Sequence, residues 1–309
     1  MRLQRRVDTD SGPLVYAVVL TWNNKDDTLD CLRSLENSTY PNLTTLVVDN
    51  GSTDDTLEVV GREHPAVHRM GLCENLGFAT GCNRGIAEAM RQSADYVLLL
   101  NNDTLVAPDL VEQLVRPMGV STGVTAPKIY YAHDPRRIWS AGATRDPLTL
   151  EMKGSLRGTL DSDDVSSPVD RDYLVGCALL LSRQLLESVG GFDERFFMYY
   201  EDMDLCLRAR KAGFRLLLVP QAKVWHKVAA ASGGSDSPNE RYWMARSSVI
   251  FFAKHARILQ LGIIIPYRLG SMIKTLIRLA GQRRWASARA YVRGIRDGLR
   301  DVLTDGMQP

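Results

Sequence analysis

The 309-residue chain contains no Gly-x-Gly-x-x-Gly and not one Gly-Lys dipeptide, so neither a dinucleotide fingerprint nor a P-loop is present. The Gly-rich N-terminal loop that clamps a nucleoside triphosphate in sugar-phosphate nucleotidyltransferases is missing too. Cysteine is scarce. The five residues (Cys31, Cys73, Cys82, Cys177, Cys206) form no Cys-x-x-Cys pair and no zinc-spaced His/Cys cluster, and their number is odd, which predicts reduced, mostly buried thiols. Net charge is nearly absent: 38 Lys and Arg against 36 Asp and Glu leave +2, no global footprint for nucleic acid. No apolar run approaches the ~18 residues of a spanning helix; the longest, Ile258 to Tyr267, is closed by Arg268. The basic, then polar first dozen residues have no signal-type apolar h-region behind them, from which a cytoplasmic location is expected.

What is present folds. With 45% hydrophobic and 24% charged residues, the length suits about two domains of roughly 150 residues, or one with an extension. The first hundred residues repeat an apolar run, a polar turn and a segment of helical spacing, which predicts parallel strands joined by crossover helices. The runs Val15 to Trp22, Leu43 to Asp49 and Asp95 to Asn101 are rich in Val and Leu without alternation, as in strands buried on both faces. Leu29, Leu32 and Leu35 mark a helix after the first, and Ser52-Thr53-Asp54-Asp55 reads as a capping box opening another after the second. A polar surface loop is expected within 153–172, after which structure resumes from Tyr173 to Ser182 and a helix ends at Gly213. Ala229 to Glu240, small and Gly/Ser-rich, reads as a mobile loop or linker.

Polar residues gather where the predicted strands end: Thr21, Asn23 and Asn24; Asp49 and Asn50; Asn101, Asn102 and Asp103. Ligands of open α/β sheets bind outside the carboxyl ends of the strands, so three such clusters point to one site rather than three turns. Asp103 there can hold a hard divalent cation, and the Asn side chains can hydrogen-bond a ribose or phosphate without adding negative charge. Glu201-Asp202 lies beside Phe196, Phe197, Tyr199 and Tyr200, an environment able to desolvate a base, whereas Asp204 has a helical partner in Arg208. Trp225-His226 closes the last apolar stretch, and imidazole beside carboxylate suits Mn²⁺. Gly77, Gly81 and Gly85 are spaced four apart around Asn83, for tight helix packing or backbone approach to a phosphate.

In order along residues 15 to 227, the segments VVLTWNN, VVDNGSTDDT, ENLGFATGCNRGI, LLLNNDTLVAP, GCALLLSR, GGFDERFFMYYEDMDLCLRARKAGF and VWHK resemble the inverting glycosyltransferases of family 2, in their bacterial rhamnosyltransferase-like branch. The resemblance implies a GT-A fold: a Rossmann-like, mostly parallel sheet flanked by helices, here with a C-terminal helical extension. It places the nucleobase at Thr21 and Asp49, the ribose and a metal at Asn101 and Asp103, the catalytic base at Asp202 and a second metal ligand at His226. Asn23, Asn50, Gly77, Asn83 and Asn102 are expected at the donor, and Glu201, Trp225 and Gly176 at the acceptor or pocket wall. Two departures stand out: Asn101-Asn102-Asp103 where many relatives have Asp-x-Asp, and Arg246-Ser247 where many have Arg-Asn.

The expected organisation is a nucleotide-sugar-binding catalytic domain over 1–228, the linker 229–240, and a basic helical extension over 241–309. The expected reaction is metal-dependent inverting transfer from a nucleotide diphosphate sugar, dTDP-rhamnose first and a UDP-hexose as alternative, to a cell-envelope or polysaccharide glycan, possibly lipid-linked. Mg²⁺ or Mn²⁺ at Asp103 and His226 would neutralise the leaving diphosphate, and Asp202 would deprotonate the acceptor. Nucleotidyl transfer is disfavoured by the missing triphosphate loop, and a sugar- or lipid-binding scaffold by the intact Asp103, Asp202 and His226. From Lys254 to Arg300, eleven basic residues face the single acid Asp297, a local +10, interleaved with Ile265, Leu269, Met272, Ile273, Leu276 and Leu279. Amphipathic helices on the anionic inner membrane surface are expected, the alternative being packing on the catalytic domain or on a second copy in a homo-oligomer.

Overall fold

The computed structural model describes residues 12–154, 156–162, 167–228 and 236–305. Strand β1 (Val15–Thr21), helix α1 (Lys25–Glu36), β2 (Leu43–Asp49), α2 (Thr56–Glu63), β3 (His68–Gly71), α3 (Phe78–Arg91) and β4 (Tyr96–Asn101) follow one another. β1 pairs in parallel with β2 and β4, and β2 with β3, which fulfils the expectation drawn from the non-alternating runs. β1 is buried along its whole length. Its Tyr16, Val18 and Leu20 pack with Cys82 and Ile86 of α3, while Val15, Ala17 and Val19 pack on the other face with Leu29, Leu32 and Leu35 of α1. A Cβ at Gly81 would lie 2.7 Å from Leu20, so glycine here lets α3 approach the sheet closely.

The chain continues through β5 (Thr104–Val106), α4 (Leu110–Val115), β6 (Thr122–Tyr131), β7 (Asp134–Ser140), β8 (Ala143–Arg145), β9 (Met152–Gly154) and β10 (Val169–Asp170). Then come β11 (Ala178–Ser182), α5 (Arg183–Val189), α6 (Glu201–Lys211) and β12 (Arg215–His226). The main sheet runs β10-β12-β6-β11-β4-β1-β2-β3, with β5 added to β12 and β7 to β6; β8 and β9 form a separate pair. β11 is antiparallel to both β4 and β6, so the far half of the sheet is mixed.

Of the apolar segment from Tyr173 to Ser182, Ala178–Ser182 is strand, because the residues before it turn away to bond the start of α6 and the end of β4. Two local expectations need correcting. Ser52 caps no helix: it bonds Asp49, and α2 starts at Thr56, whose N–H is met by Asp54 at 3.1 Å. The polar stretch before β10 is not all solvated, since Asp161 bonds the buried Lys128 at 2.7 Å and the hydroxyl of Tyr130. Of the expected linker, residues 229–235 lie outside the described residues.

Three helices complete the chain: α7 (Pro238–His255), α8 (Ile258–Gly281) and α9 (Trp285–Asp305). Ile250, Phe251 and Phe252 of α7 bury themselves with Phe196 and Leu207, so α7 is built onto the catalytic half rather than hung from it. Gly294 and Gly298 of α9 lie against the backbone of α7, where a side chain would clash. The basic segment is also less bare than its composition suggested. Lys254 pairs with Asp193 and Asp204, Arg268 with Glu151, Arg278 with Asp236 and Arg296 with Asp297. No described helix is long and apolar enough to cross a membrane.

Candidate active site

Parallel register brings the strand ends together. Thr21 lies opposite Asp49 and Leu20 opposite Asn101, so all three polar clusters leave the sheet on one edge. Thr21 shares its hydroxyl with Thr28 at 2.8 Å, and the Asn102 amide donates to Thr28 at 3.0 Å and Thr21 at 3.2 Å, tying the third cluster to the start of α1. Asp49 accepts from the N–H of Ser52 at 2.9 Å and from its hydroxyl. Asn23, in the left-handed region at φ 46°, accepts from Thr53 N–H at 2.7 Å and so clasps the first loop to the second. Asn50 reaches the Gly77 carbonyl at 3.0 Å and receives Leu76 N–H at 3.0 Å, fixing the turn that enters α3.

Asn83 stands apart from these. Its amide donates to the Phe192 carbonyl at 2.8 Å and accepts Phe192 N–H at 2.8 Å, so it ties α3 to the segment leading into α6 instead of offering free atoms to a donor. Trp225 is likewise engaged elsewhere. It points to the opposite face of β12 from His226, as alternation requires, stacks on Tyr130 and donates to the Pro135 carbonyl at 3.2 Å.

Antiparallel pairing of β5 with β12 sets His226 opposite Thr104 and thereby beside Asp103, 123 residues away in sequence. His226 Nε2 lies 3.0 Å from Asp103 Oδ1, both side chains nearly buried, and Trp139 packs edge-on against the imidazole at 4.7 Å. His226 Nδ1 and Asn101 Oδ1 are buried without a hydrogen-bond partner. Buried polar atoms are rarely left so, and two of them beside a carboxylate fit a site completed by something outside the chain. Among the described residues no group of three or more His, Cys, Asp and Glu gathers, so a cation here would have Asp103 and His226 alone as protein ligands. That suits Mg²⁺ or Mn²⁺, which keep water and take substrate phosphate oxygens alongside one or two protein groups.

The acidic pair opens α6. Tyr199 and Tyr200 both have positive φ, 67° and 70°, a sharp bend that turns Glu201 and Asp202 inward. Asp202 Oδ2 accepts the Tyr173 hydroxyl at 2.8 Å and the Gly176 N–H at 2.8 Å, while Oδ1 accepts Met203 N–H at 2.8 Å. Burial pushes its carboxyl above the usual range, and those donors offset part of the rise. Glu201 is pushed well higher, by burial and then by the charge of Asp202, and its Oε2 has no partner. Burial thus drives Glu201 towards its neutral form more strongly than Asp202, whose three donors favour its ionised form. Asp204 faces away: burial raises its carboxyl, but His255, Arg208 and Lys254 outweigh that and hold it below the ordinary range.

Two consecutive residues join the halves of the site. Gly176 donates to Asp202, and the Cys177 carbonyl accepts Asn101 N–H at 2.9 Å. A buried carboxylate thus stands one residue from the strand-end cluster that carries Asp103. The family model for glycosyl transferase family 2 matches residues 16–189, which span that cluster and more than half the chain. The chain belongs to glycosyltransferase family 2. It is a glycosyltransferase with a GT-A fold. It is 30% identical over 246 residues, 72% of this chain and 78% of the relative, to N-acetylglucosaminyl-diphospho-decaprenol L-rhamnosyltransferase of Mycobacterium tuberculosis. It is 23% identical to the dTDP-rhamnosyl transferase RfbF of Shigella flexneri, over 94% of this chain and 97% of that one. A mannosyltransferase of Pyrobaculum calidifontis, solved with GDP-Man and Mn²⁺, shares its fold with a TM-score of 0.59 at 19% identity, covering 94% of this chain and 90% of that one.

Sequence reasoning missed Tyr173, Trp139 and Ser52 in this family 2 site. Tyr173 opens an apolar segment without a polar signal, Trp139 lies on the charged strand β7, which no motif marked, and Ser52 was read as a helix cap. Only the Gly176-Cys177 step before an apolar run hinted that the chain stops to turn there.

Proposed function

We propose that this glycosyltransferase moves L-rhamnose from dTDP-rhamnose to a hydroxyl of a lipid-linked cell-envelope or polysaccharide glycan, with inversion, at the inner membrane surface. The names of the mycobacterial and Shigella relatives support the donor, and the decaprenol in the former supports a lipid-linked acceptor. The observation that carries the mechanism is the Asp202 carboxylate, buried, held by Tyr173 and Gly176, and joined through Cys177 to the strand ends. Asp202 takes the acceptor proton as the hydroxyl attacks the anomeric carbon from the face opposite the leaving diphosphate. Its raised affinity for protons, relative to a solvated Asp, improves the match to an alcohol being deprotonated in the transition state.

Thr21, Asn23, Asp49 and Asn50 line the edge where the nucleoside would lie, and Asn101 has a buried oxygen ready for it. Asp103 and His226 would hold Mg²⁺ or Mn²⁺. When bound, the cation supplies charge neutralisation of the departing diphosphate in place of a general acid. Tyr173 and Gly176 keep the base oriented, and Trp139 shields His226 from water. The test is release of dTDP from dTDP-rhamnose with Mn²⁺ and an N-acetylglucosaminyl lipid acceptor, read alongside the anomeric configuration of the product. Retention of configuration, or equal turnover of UDP-hexoses, would overturn the reading.

A further inference from the structure

Helix α8 is turned the reverse of an ordinary surface helix. Its arginines are tied back to the protein: Arg268 reaches Ser248 at 2.9 Å and Glu151 at 3.4 Å, and the partly exposed Arg278 donates to Asp236 at 2.9 Å. Its outward face is aliphatic. Leu259 is 92% exposed and Ile277 68%, and Leu269 and Ile273 lie between them, each about half exposed. At 100° per residue these four side chains form one stripe, with Gly262, Pro266 and Gly270 also exposed along it. The 24-residue helix is about 36 Å long at 1.5 Å per residue. Scattered exposed leucines need no explanation, but a contiguous stripe of this length does.

The charges around the stripe say what covers it. Lys274, Arg283 and Arg289 are exposed, and none has an acidic partner among the described residues. Trp285, 58% exposed, stands at the turn between α8 and α9, the place for an amphipathic ring at a water–hydrocarbon boundary. A second copy of the chain packed on this face would set these cations against their own duplicates with no acid between them. An anionic bilayer answers both features, taking the aliphatic stripe below the headgroups and pairing the cations with them.

The helix is also tied, through the β8–β9 hairpin, to the segment that holds Asp202. Gln260 of α8 donates to the Pro147 carbonyl in the β8–β9 turn at 2.8 Å, and Leu148 of that turn is exposed. Ala143 of the same hairpin bridges Tyr173, whose hydroxyl holds Asp202. We infer that the outward face of α8, edged by Lys274, Arg283 and Arg289, is a lipid-contact surface that seats the enzyme on an anionic membrane with the hairpin beside Asp202 next to the lipid. The inference rests on the reading that the acceptor is lipid-linked.

The full-length chain is sedimented with phosphatidylglycerol vesicles and with phosphatidylcholine vesicles at low and high salt. Binding is expected only to the anionic vesicles, to weaken with salt, and to fall about 100-fold in Ile273→Glu/Ile277→Glu, where two exposed aliphatic groups that would enter the bilayer become charges. Calorimetric affinity for dTDP-rhamnose with Mn²⁺ should be unchanged in that variant, which shows that it folds. A wild-type chain left in the supernatant with anionic vesicles at low salt, or a variant that sediments as well as wild type, overturns the inference. So does a lipid-free dimer that the same variant dissociates in sedimentation velocity, since a second copy then occupies the face. If both chains fail to bind dTDP-rhamnose while only wild type binds anionic vesicles, the lipid surface stands and the donor assignment falls.

Discussion

The backbone N–H of Gly176 donates to Oδ2 of Asp202 at 2.8 Å, and a Cβ at position 176 would stand 3.1 Å from the Asp202 Cβ and 3.3 Å from that oxygen. The carboxylate therefore rests on bare backbone. Gly176→Ala is expected to push Asp202 aside and lower kcat about tenfold, within the share of rate a positioned base supplies. Donor affinity should hold, because the strand-end cluster is untouched. A kcat within twofold of wild type would show that the close contact does not set the base's position.

The two adjacent acids should respond in opposite ways. Asp202→Asn removes the proposed base, and transfer should drop ~10²–10⁴-fold with dTDP-rhamnose binding retained. Glu201→Gln replaces a carboxyl that burial drives towards its neutral form with a neutral amide, and activity should stay within about tenfold of wild type by the same reasoning. Kinetics of the two variants side by side decide it; a dead Glu201→Gln beside an active Asp202→Asn reverses the assignment.

Stability follows the same acids. Burial raises the folded-state pKa of Glu201, so the folded chain binds this proton more tightly than the unfolded one. Its favourable contribution is fully present below the unfolded value near ~4.3 and is lost as pH rises through the folded one. Glu201→Gln should therefore raise Tm at neutral and alkaline pH and flatten its fall with rising pH, measured by thermal denaturation across that range. An unchanged pH profile would mean that Glu201 is solvated in the folded chain.

Tyr173 gives the pH dependence of the reaction. Its hydroxyl stabilises the ionised form of Asp202, whose pKa burial has already raised. The rate should climb with pH through a value above the ordinary carboxylate range, as the base loses its proton. Tyr173→Phe removes one donor to the carboxylate and should move that rise to higher pH. A profile left in place by Tyr173→Phe, or moved to lower pH, would contradict the assigned hydrogen bond.

How far the sequence carried these conclusions depends on the range of the forces involved. Buried parallel strands announce themselves as Val/Leu runs, so β1, β2 and β4 and the polar edge they share were legible. The approach of His226 to Asp103 was not legible from spacing, because it depends on the short β5 pairing with β12 across more than a hundred residues; it came from the family resemblance. The burial of α7 and the inverted α8 were hidden for a different reason. Composition counts charges without saying what they pair with, and Arg268 and Arg278 are tied back to Ser248 and Asp236. Asn83 and Trp225 carry suggestive side chains but are engaged in packing ties.

The metal pair gives the last test. Asp103 and His226 lie 3.0 Å apart, and His226 Nδ1 and Asn101 Oδ1 are buried without partners, so the chain by itself leaves this corner of the site unsatisfied. Two protein ligands hold a divalent cation weakly. The diphosphate oxygens should complete the set, making cation and donor bind with mutual reinforcement. Calorimetry should show dTDP binding strengthened by Mn²⁺ and Mn²⁺ binding strengthened by dTDP by the same factor. Asp103→Ala should remove that coupling and reduce affinity for the pair on the order of 10²-fold, the loss expected when a metal site is disrupted. His226→Ala should weaken it less, because the carboxylate carries the charge that answers the cation. Equal dTDP affinity with Mn²⁺ and with EDTA in the wild-type chain would show that the leaving group is neutralised by other means, and would remove the metal from the proposed mechanism.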